Sequence, residues 1–311
     1  MSRTPCNFAL LALLSAPPLA AEPLRLTAAN VEDKVNGILT LMSYSMTLDL
    51  ASSALQISDN ETGDPALTMT QLGGGATMSD EVPLYLEGSI AYSRYDPKFV
   101  ATNGVQTRTI PVKWTSLTAA GGIGWDFALN DEWVLRPIGN VALGYISSDI
   151  NSARLYLNYE LDREIEFLDD GQMGALGLGG AMMLDWERVR EEYEADLELR
   201  YSYLDLQNIG GDKAIDGNVT AQTANLWTRY RAPTGWTVMH NPLRYVLEYS
   251  HSEYLGEQRG ALGFDRLSTI GAGIEFDSSA YPVFITRTRI LIRQMFGDGV
   301  SGTALSFAVS F

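Results

Sequence analysis

The side chains able to do covalent chemistry are few. The chain has two histidines, His240 and His251, and its single cysteine is Cys6. Histidine is the usual general base near neutral pH, and His251 lies between Ser250 and Ser252. Successive residues of a strand point to opposite faces, so neither neighbouring serine can pair with that ring. His251 therefore reads as a polar residue at an outer strand end. His240 falls at the opposite end of the same strand, which leaves no two-histidine metal site. Gly73-Gly74-Gly75 and Gly177-Leu178-Gly179-Gly180 lack the Lys-Ser/Thr ending and the strand-to-helix setting of a phosphate loop. The first is expected to open a turn, the second to leave room on an inward face. No catalytic residue, metal site or cofactor is expected.

A second set of residues can do electrostatic work. By strand parity Glu87, Asp126, Asp196, Glu198, Arg200, Arg244, Glu248, Glu275, Arg287, Arg289 and Arg293 share faces with small and polar residues. A charge facing lipid would cost about 2–4 kcal/mol at a bilayer midplane, so all of them are expected to line an interior. They could fill it as an ion-pair network or line it as a selective pore. The signs balance across strands, and Arg287, Arg289 and Arg293 make one strand basic against acids on others. The network is the preferred reading. A net charge of −16 argues against a nucleic-acid partner, whose phosphates need a basic surface.

Positioning such a set requires many alternating strands, and the chain is built of them. With 29 glycines, 15 tyrosines and short alternating runs, it reads as all-β. In 83–95, Leu84, Leu86, Ile90 and Tyr92 face one way and Tyr85, Glu87, Ser89 and Ala91 the other. In 194–204, Leu197, Leu199, Tyr201 and Tyr203 alternate with Asp196, Glu198, Arg200 and Ser202. Twelve strands are expected, the first from Ser45 and the second-to-last from Val283. An even number brings both termini to one side. The connections Asn130-Asp131, Arg231 to Gly235 and Asp277 to Ala280 are short, while Pro97 to Gln106, Ser148 to Gly171, Asp205 to Gly217 and Glu253 to Gly263 are longer and polar. Aromatics gather beside the short ones: Phe127 and Trp133, Trp186 and Tyr193, Tyr230 and Trp236, Phe276 and Tyr281. That is the arrangement of an interfacial girdle. The fold expected is a twelve-stranded antiparallel transmembrane β-barrel.

The two ends carry further signals. Arg3, the apolar run Phe8 to Leu14 and the small residues up to Ala21 make residues 1–21 a secretory signal peptide, cleaved after Ala21. The run is shorter than the roughly 20 residues of a membrane-spanning helix. Cys6 lies within it without a lipobox, so the mature chain would hold no cysteine and no disulfide. From Glu22 to about Leu41, Val31, Val35, Ile38 and Met42 recur at helical spacing behind an Asn30 cap. Residues 22–43 are read as a helical plug segment and 44–311 as the barrel. At the other end Leu305, Phe307, Val309 and Phe311 form an apolar face backed by Ala304, Ser306, Ala308 and Ser310.

This terminal strand, ending in an aromatic, resembles the closing strand of bacterial outer-membrane barrels. With the amphipathic helix and stretches such as A-A-G-G-I-G-W-D-F from Ala119 and G-N-V-A-L-G-Y from Gly139, the chain resembles the autotransporter β-domain over essentially its whole mature length. The resemblance implies that Leu305, Phe307, Val309 and Phe311 act as an assembly signal. It also implies partnership with periplasmic chaperones, the outer-membrane barrel assembly machinery and outer-membrane lipid. Some autotransporters cut a lumenal helix after asparagine, and Asn30 and Asn36 stand here; a polar helix face is the preferred reading of both. Almost nothing separates Ala21 from the helix, so the chain looks like a barrel without a secreted passenger. The function expected is that of an integral, non-enzymatic outer-membrane barrel, its lumen plugged by the N-terminal helix. An open channel for small polar solutes is the alternative, and a barrel enzyme at the membrane surface the third reading.

Overall fold

A computed structural model describes residues 39–40, 42–43, 53–59, 65–79, 81–95, 98–102, 107–111, 114–148, 172–209, 218–238, 241–260, 264–277 and 287–310. Fifteen strands follow in order: β1 (Ser53–Asp59), β2 (Pro65–Thr77), β3 (Leu84–Tyr95), β4 (Lys98–Thr102), β5 (Thr107–Pro111), β6 (Trp114–Trp125), β7 (Phe127–Ala128), β8 (Trp133–Ser148), β9 (Gln172–Val189), β10 (Glu194–Ile209), β11 (Asn218–Val238), β12 (Asn241–Gly256), β13 (Arg266–Asp277), β14 (Arg287–Gly297) and β15 (Val300–Ser310). β4 and β5 form a separate two-stranded sheet, and β7 resumes the line of β6 after Asp126. The remaining twelve pair antiparallel with their neighbours. β6 joins β8, and β15 returns to β1 in register from Ser53↔Ser306 to Asp59↔Val300, so the ring is closed.

Period-two patterning decides which face goes where. In β6 the alternation buries Ser116, Thr118, Gly122 and Gly124 and exposes Leu117, Ile123 and Trp125. In β14, Arg289, Leu291, Arg293 and Met295 turn inward while Ile290, Ile292 and Phe296 are exposed. Among the described side chains, β2, β3, β6 and β8 to β15 likewise expose large apolar residues on the outer face. That is stable only where the outside is lipid, because such a continuous apolar surface in water would drive association. No helix among the described residues is long and apolar enough to cross a membrane; the strands do the crossing.

Both β1 and β15 have their chain-terminal ends at one rim, called here the terminal rim. The connections expected to be short all fall there, and the longer ones at the far rim. Aromatics cluster near the terminal rim, with Trp133 and Trp186 at 6.2 Å, Tyr193 stacked on Tyr230 at 5.7 Å, and Tyr230 and Tyr245 at 6.1 Å.

Three expectations need correction. Gly73-Gly74-Gly75 opens no turn; the run stays in β2, paired with Ser89, Gly88 and Glu87. A side chain at position 75 would push against the Tyr85 ring, which would have to shift. The segment from Arg231 to Gly235 is likewise mostly strand. β11 continues to Val238 with a register break between Pro233 and Thr237, and Gly235 adopts φ of 80°. Part of the connection from Pro97 to Gln106 is the β4–β5 hairpin rather than loop. Of the helix expected over 22–41, residues 39 and 40 are helical, as are 42 and 43. Residues 22–38 and 41, the strand beginnings at 45–52 and 283–286, Tyr281 and the signal peptide lie outside the described residues.

Candidate functional site

The lumen is the site, and its two ends differ in chemistry. Toward the terminal rim the inward positions of β10 to β14 carry charge. Arg229 and Arg231 on β11 contact Asp196 at 2.6 and 3.0 Å, and Arg231 also reaches Glu194 at 3.0 Å. Arg244 on β12 contacts Glu194 at 2.5 Å and Asp277 at 3.1 Å. Arg287 and Arg289 on β14 reach Glu194 and Glu275 at 2.8 and 3.2 Å. Five arginines thus meet four buried carboxylates, Glu194, Asp196, Glu275 and Asp277. A sixth guanidinium, Arg136 on β8, binds Asp126, which also accepts a hydrogen bond from Thr77 Oγ1 at 2.6 Å. Arg136 lies 4.0 Å over the Tyr85 ring and 3.5 Å from Asp185.

At mid-height one contact crosses the interior. Arg200 on β10 donates through both terminal nitrogens to Glu87 on β3, at 2.8 and 2.7 Å. These strands are four steps apart round the ring, so the pair forms a chord across the lumen. Two parallel charge-assisted bonds fix its direction. Asn140 donates to the same carboxylate at 2.6 Å, passing over Gly122, where a side chain would come within 2.7 Å of Glu87 Oε1. Farther along, Arg293 on β14 binds Glu248 on β12 at 2.5 Å.

Toward the far rim the interior turns apolar. Met69, Ala91, Ile146, Met173, Leu206, Val219, Met295 and Val300 surround Leu39 and Met42 in one buried cluster. These wall residues come from eight different strands, and Leu39 and Met42 are both wholly buried. Ser43 Oγ donates to the Thr40 carbonyl at 2.6 Å and accepts a hydrogen bond from Gln258 Nε2. Gln258 in turn accepts from Thr223 Oγ1 at 3.0 Å.

Of the charges expected on an inward face, all but Asp126 lie within strands, and Asp126 lies between β6 and β7. Glu87, Arg200, Arg244, Glu248, Glu275, Arg287, Arg289 and Arg293 stand in the pairs above, and Asp126 and Asp196 beside them. Glu198 lies on the same face of β10 as Asp196 and Arg200. Arg136, Asp185, Glu194, Arg229, Arg231 and Asp277 were missed. Continuing the parity of β10 back to Glu194 and of β11 past Tyr230 would have found Glu194 and Arg231. At the far end of the chain, Leu305 and Phe307 are exposed on the outer face of β15. The side chains of Val309 and Phe311 lie outside the described residues, as does His240.

Outside the lumen, Glu132 in the β7–β8 turn accepts hydrogen bonds from Arg188 at 2.7 Å and from Trp186 Nε1 at 3.1 Å. The Arg188 bond is the main reason its carboxyl is held down at about 2. No cluster of potential metal ligands occurs among the described residues.

The family model of the autotransporter β-domain matches residues 44–160. That span includes the stretches from Ala119 and Gly139 that carried the resemblance, and the terminal strand lies beyond it. Among solved structures, the β-domain of the Bordetella autotransporter BrkA aligns with 84% of this chain and 100% of its own, at 13% identity and a TM-score of 0.44. The transport unit of the autotransporter AIDA-I from Escherichia coli aligns with 89% and 98%, at 14% identity and 0.43. The NanC porin aligns with 84% and 98%, at 9% identity and 0.38. No curated protein sequence matches the chain.

Proposed function

We propose that this autotransporter-like β-barrel is exported by residues 1–21, sits in the bacterial outer membrane, and keeps its lumen closed with the segment 22–43. Its role is structural, anchoring or transporting, and the lumen itself performs no catalysis. The observation that carries this reading is the burial of Leu39, Thr40, Met42 and Ser43, each at 3% exposure or less, among inward residues drawn from most of the ring. A helix over 22–41 would be about 30 Å long, enough to cross an apolar band about 25 Å tall. The chord of Glu87 and Arg200 supports closure as well, since it divides the space that twelve strands leave unfilled.

The test is electrical. The intact protein should conduct ions poorly in planar bilayers, and deletion of 22–41 should give a larger, steadier pore from a barrel that still shifts on gels with boiling. Open-channel conductance by the intact protein, unchanged by the deletion, would replace this reading with that of a porin for small polar solutes. The charged interior is what favours that second reading. On the same proposal Leu305, Phe307, Val309 and Phe311 present the closing strand to the assembly machinery. Phe311→Asp should then lower the yield of heat-modifiable barrel in outer-membrane fractions, and an unchanged yield would remove that role.

A further inference from the structure

On the outer wall toward the far rim, β12 and β13 bring together three side chains that the lumen does not use. His251 and Ser268 are cross-strand partners, and Ser268 Oγ lies 2.8 Å from His251 Nδ1. Glu253, two residues along the same face of β12, has Oε1 3.5 Å from His251 Nε2. The ring therefore stands between a hydroxyl and a carboxylate, the order of nucleophile, base and orienting acid that activates a serine. Ser250 and Ser252, its neighbours in sequence, are buried on the inner face, and Ser252 accepts a hydrogen bond from Asn225 at 2.8 Å. The histidine side chain is 30% exposed and the glutamate 43%, both on the outward face.

The surroundings suit an amphiphilic ester. Tyr249, Ile270 and Phe296 are exposed on the same outer surface, and Phe296 is the cross-strand partner of Ser268 from β14. They continue the apolar band toward the rim. Arg266, the cross-strand partner of Glu253, stands two positions from Ser268 on the same face and is held by Asp298 at 3.0 Å. It is the cationic residue on this face of β13, on the side from which an ester would reach Ser268.

We propose that Ser268, His251 and Glu253 form a hydrolytic site on the outside of the barrel, acting on acyl esters of lipid in the adjoining leaflet. The inference goes beyond the lumenal function and shares with it only the membrane placement. In the first step His251 Nδ1 takes the Oγ proton as Ser268 bonds to the ester carbonyl carbon, leaving an oxyanion. Collapse breaks the carbon–alkoxide bond, and the imidazolium gives its proton to the departing alcohol. Water then attacks the acyl-serine and loses a proton to the same nitrogen. The acyl–Oγ bond breaks, and Oγ recovers its proton as the fatty acid leaves. Glu253, with Oε1 3.5 Å from Nε2, steadies the imidazolium by its charge.

The experiment uses the full chain in detergent micelles, with p-nitrophenyl butyrate, p-nitrophenyl dodecanoate and mixed micelles of phosphatidylethanolamine as substrates. A fluorophosphonate reagent, mapped by mass spectrometry, reports on the nucleophile of the unaltered protein. The expected result is labelling of Ser268, turnover that favours the dodecanoyl ester and the phospholipid, and loss of about 10²–10⁴-fold in Ser268→Ala and His251→Ala. Glu253→Gln should lower the rate and leave labelling detectable, while Ser252→Ala should match the unaltered protein. Boiling-dependent gel migration separates loss of the site from loss of the barrel. An unlabelled Ser268 with no ester turnover overturns the proposal whatever the variants do. Turnover confined to the butyrate overturns the lipid substrate.

Discussion

The two ends of the lumen solve the same problem by opposite means. Near the terminal rim the space inside is spanned by arginines and carboxylates, from the Asp126–Arg136 pair on one side to the Arg287–Glu194 contact on the other. Near the far rim it is filled by Leu39 and Met42 against a wall of aliphatic side chains. Charged contacts are directional and specific but bring a desolvation cost, so each partner depends on the other. Apolar contacts are non-directional and scale with area, so a segment held by them can leave as a unit. The comparison teaches that the charged end should behave as part of the barrel wall, and the apolar end as a docking site for a separable piece.

The largest test of that contrast is Arg200→Ala. It leaves Glu87 buried without its bidentate partner and should lower the unfolding free energy of the micelle-refolded barrel by about 3–5 kcal/mol, read from urea denaturation. A loss under about 1 kcal/mol would mean that the chord carries no structural load. Next comes Gly75→Ala. The added methyl must displace the Tyr85 ring, on which Arg136 rests at 4.0 Å, and overpacking of this kind costs about 1–3 kcal/mol. An unchanged urea midpoint would show that the ring moves freely. Leu39→Asp should do the reverse of these two. An unpaired charge cannot stay in the apolar cluster, so conductance should rise while the urea midpoint of the barrel stays close to that of the unaltered protein. If it falls as far as with Arg200→Ala, the segment is part of the wall after all.

The smallest effect lies outside the lumen, at Glu132. Its folded value of about 2 is below the ordinary 4.5, so its contribution is present above pH 4.5 and is lost as pH falls through about 2. The melting temperatures of the unaltered protein and Glu132→Gln should therefore differ at neutral pH and converge in that acid range. A difference that persists below pH 2 would place its origin elsewhere than the carboxylate.

Much of the ring was legible because lipid outside and polar contents inside force alternation. β3, β6 and the middle of β10 show it clearly, and Glu87, Asp196, Glu198 and Arg200 follow from it, whereas Asp185 on β9 and Glu194 at the start of β10 did not. Where alternation is broken, parity reading fails. Arg231 and Ala232 are adjacent yet both buried, close to the irregularity at Pro233, and the sequence around them looks like a turn. Gly73-Gly74-Gly75 looks like a turn for a related reason. Glycine permits one, but here it serves the close approach of Tyr85. Ser268 was illegible for a different reason. Its partner His251 comes from another strand, and only the register of β12 against β13 places the two side by side.

The seam of the ring has a consequence in time. β1 and β15 are paired from Ser53↔Ser306 onward, so the contact that closes the barrel joins the two most distant parts of its sequence. Closing so long a stretch of chain carries a loop entropy that grows only logarithmically with length, but the search is slow, since folding rates fall as contacts become less local. Until β15 has emerged and found β1, the sheet has two bare edges, each a template for pairing with another chain. The seam has seven register pairs. A short seam between distant segments thus closes the ring, and an escort that shields open edges until it forms would act on the step most exposed to misassembly.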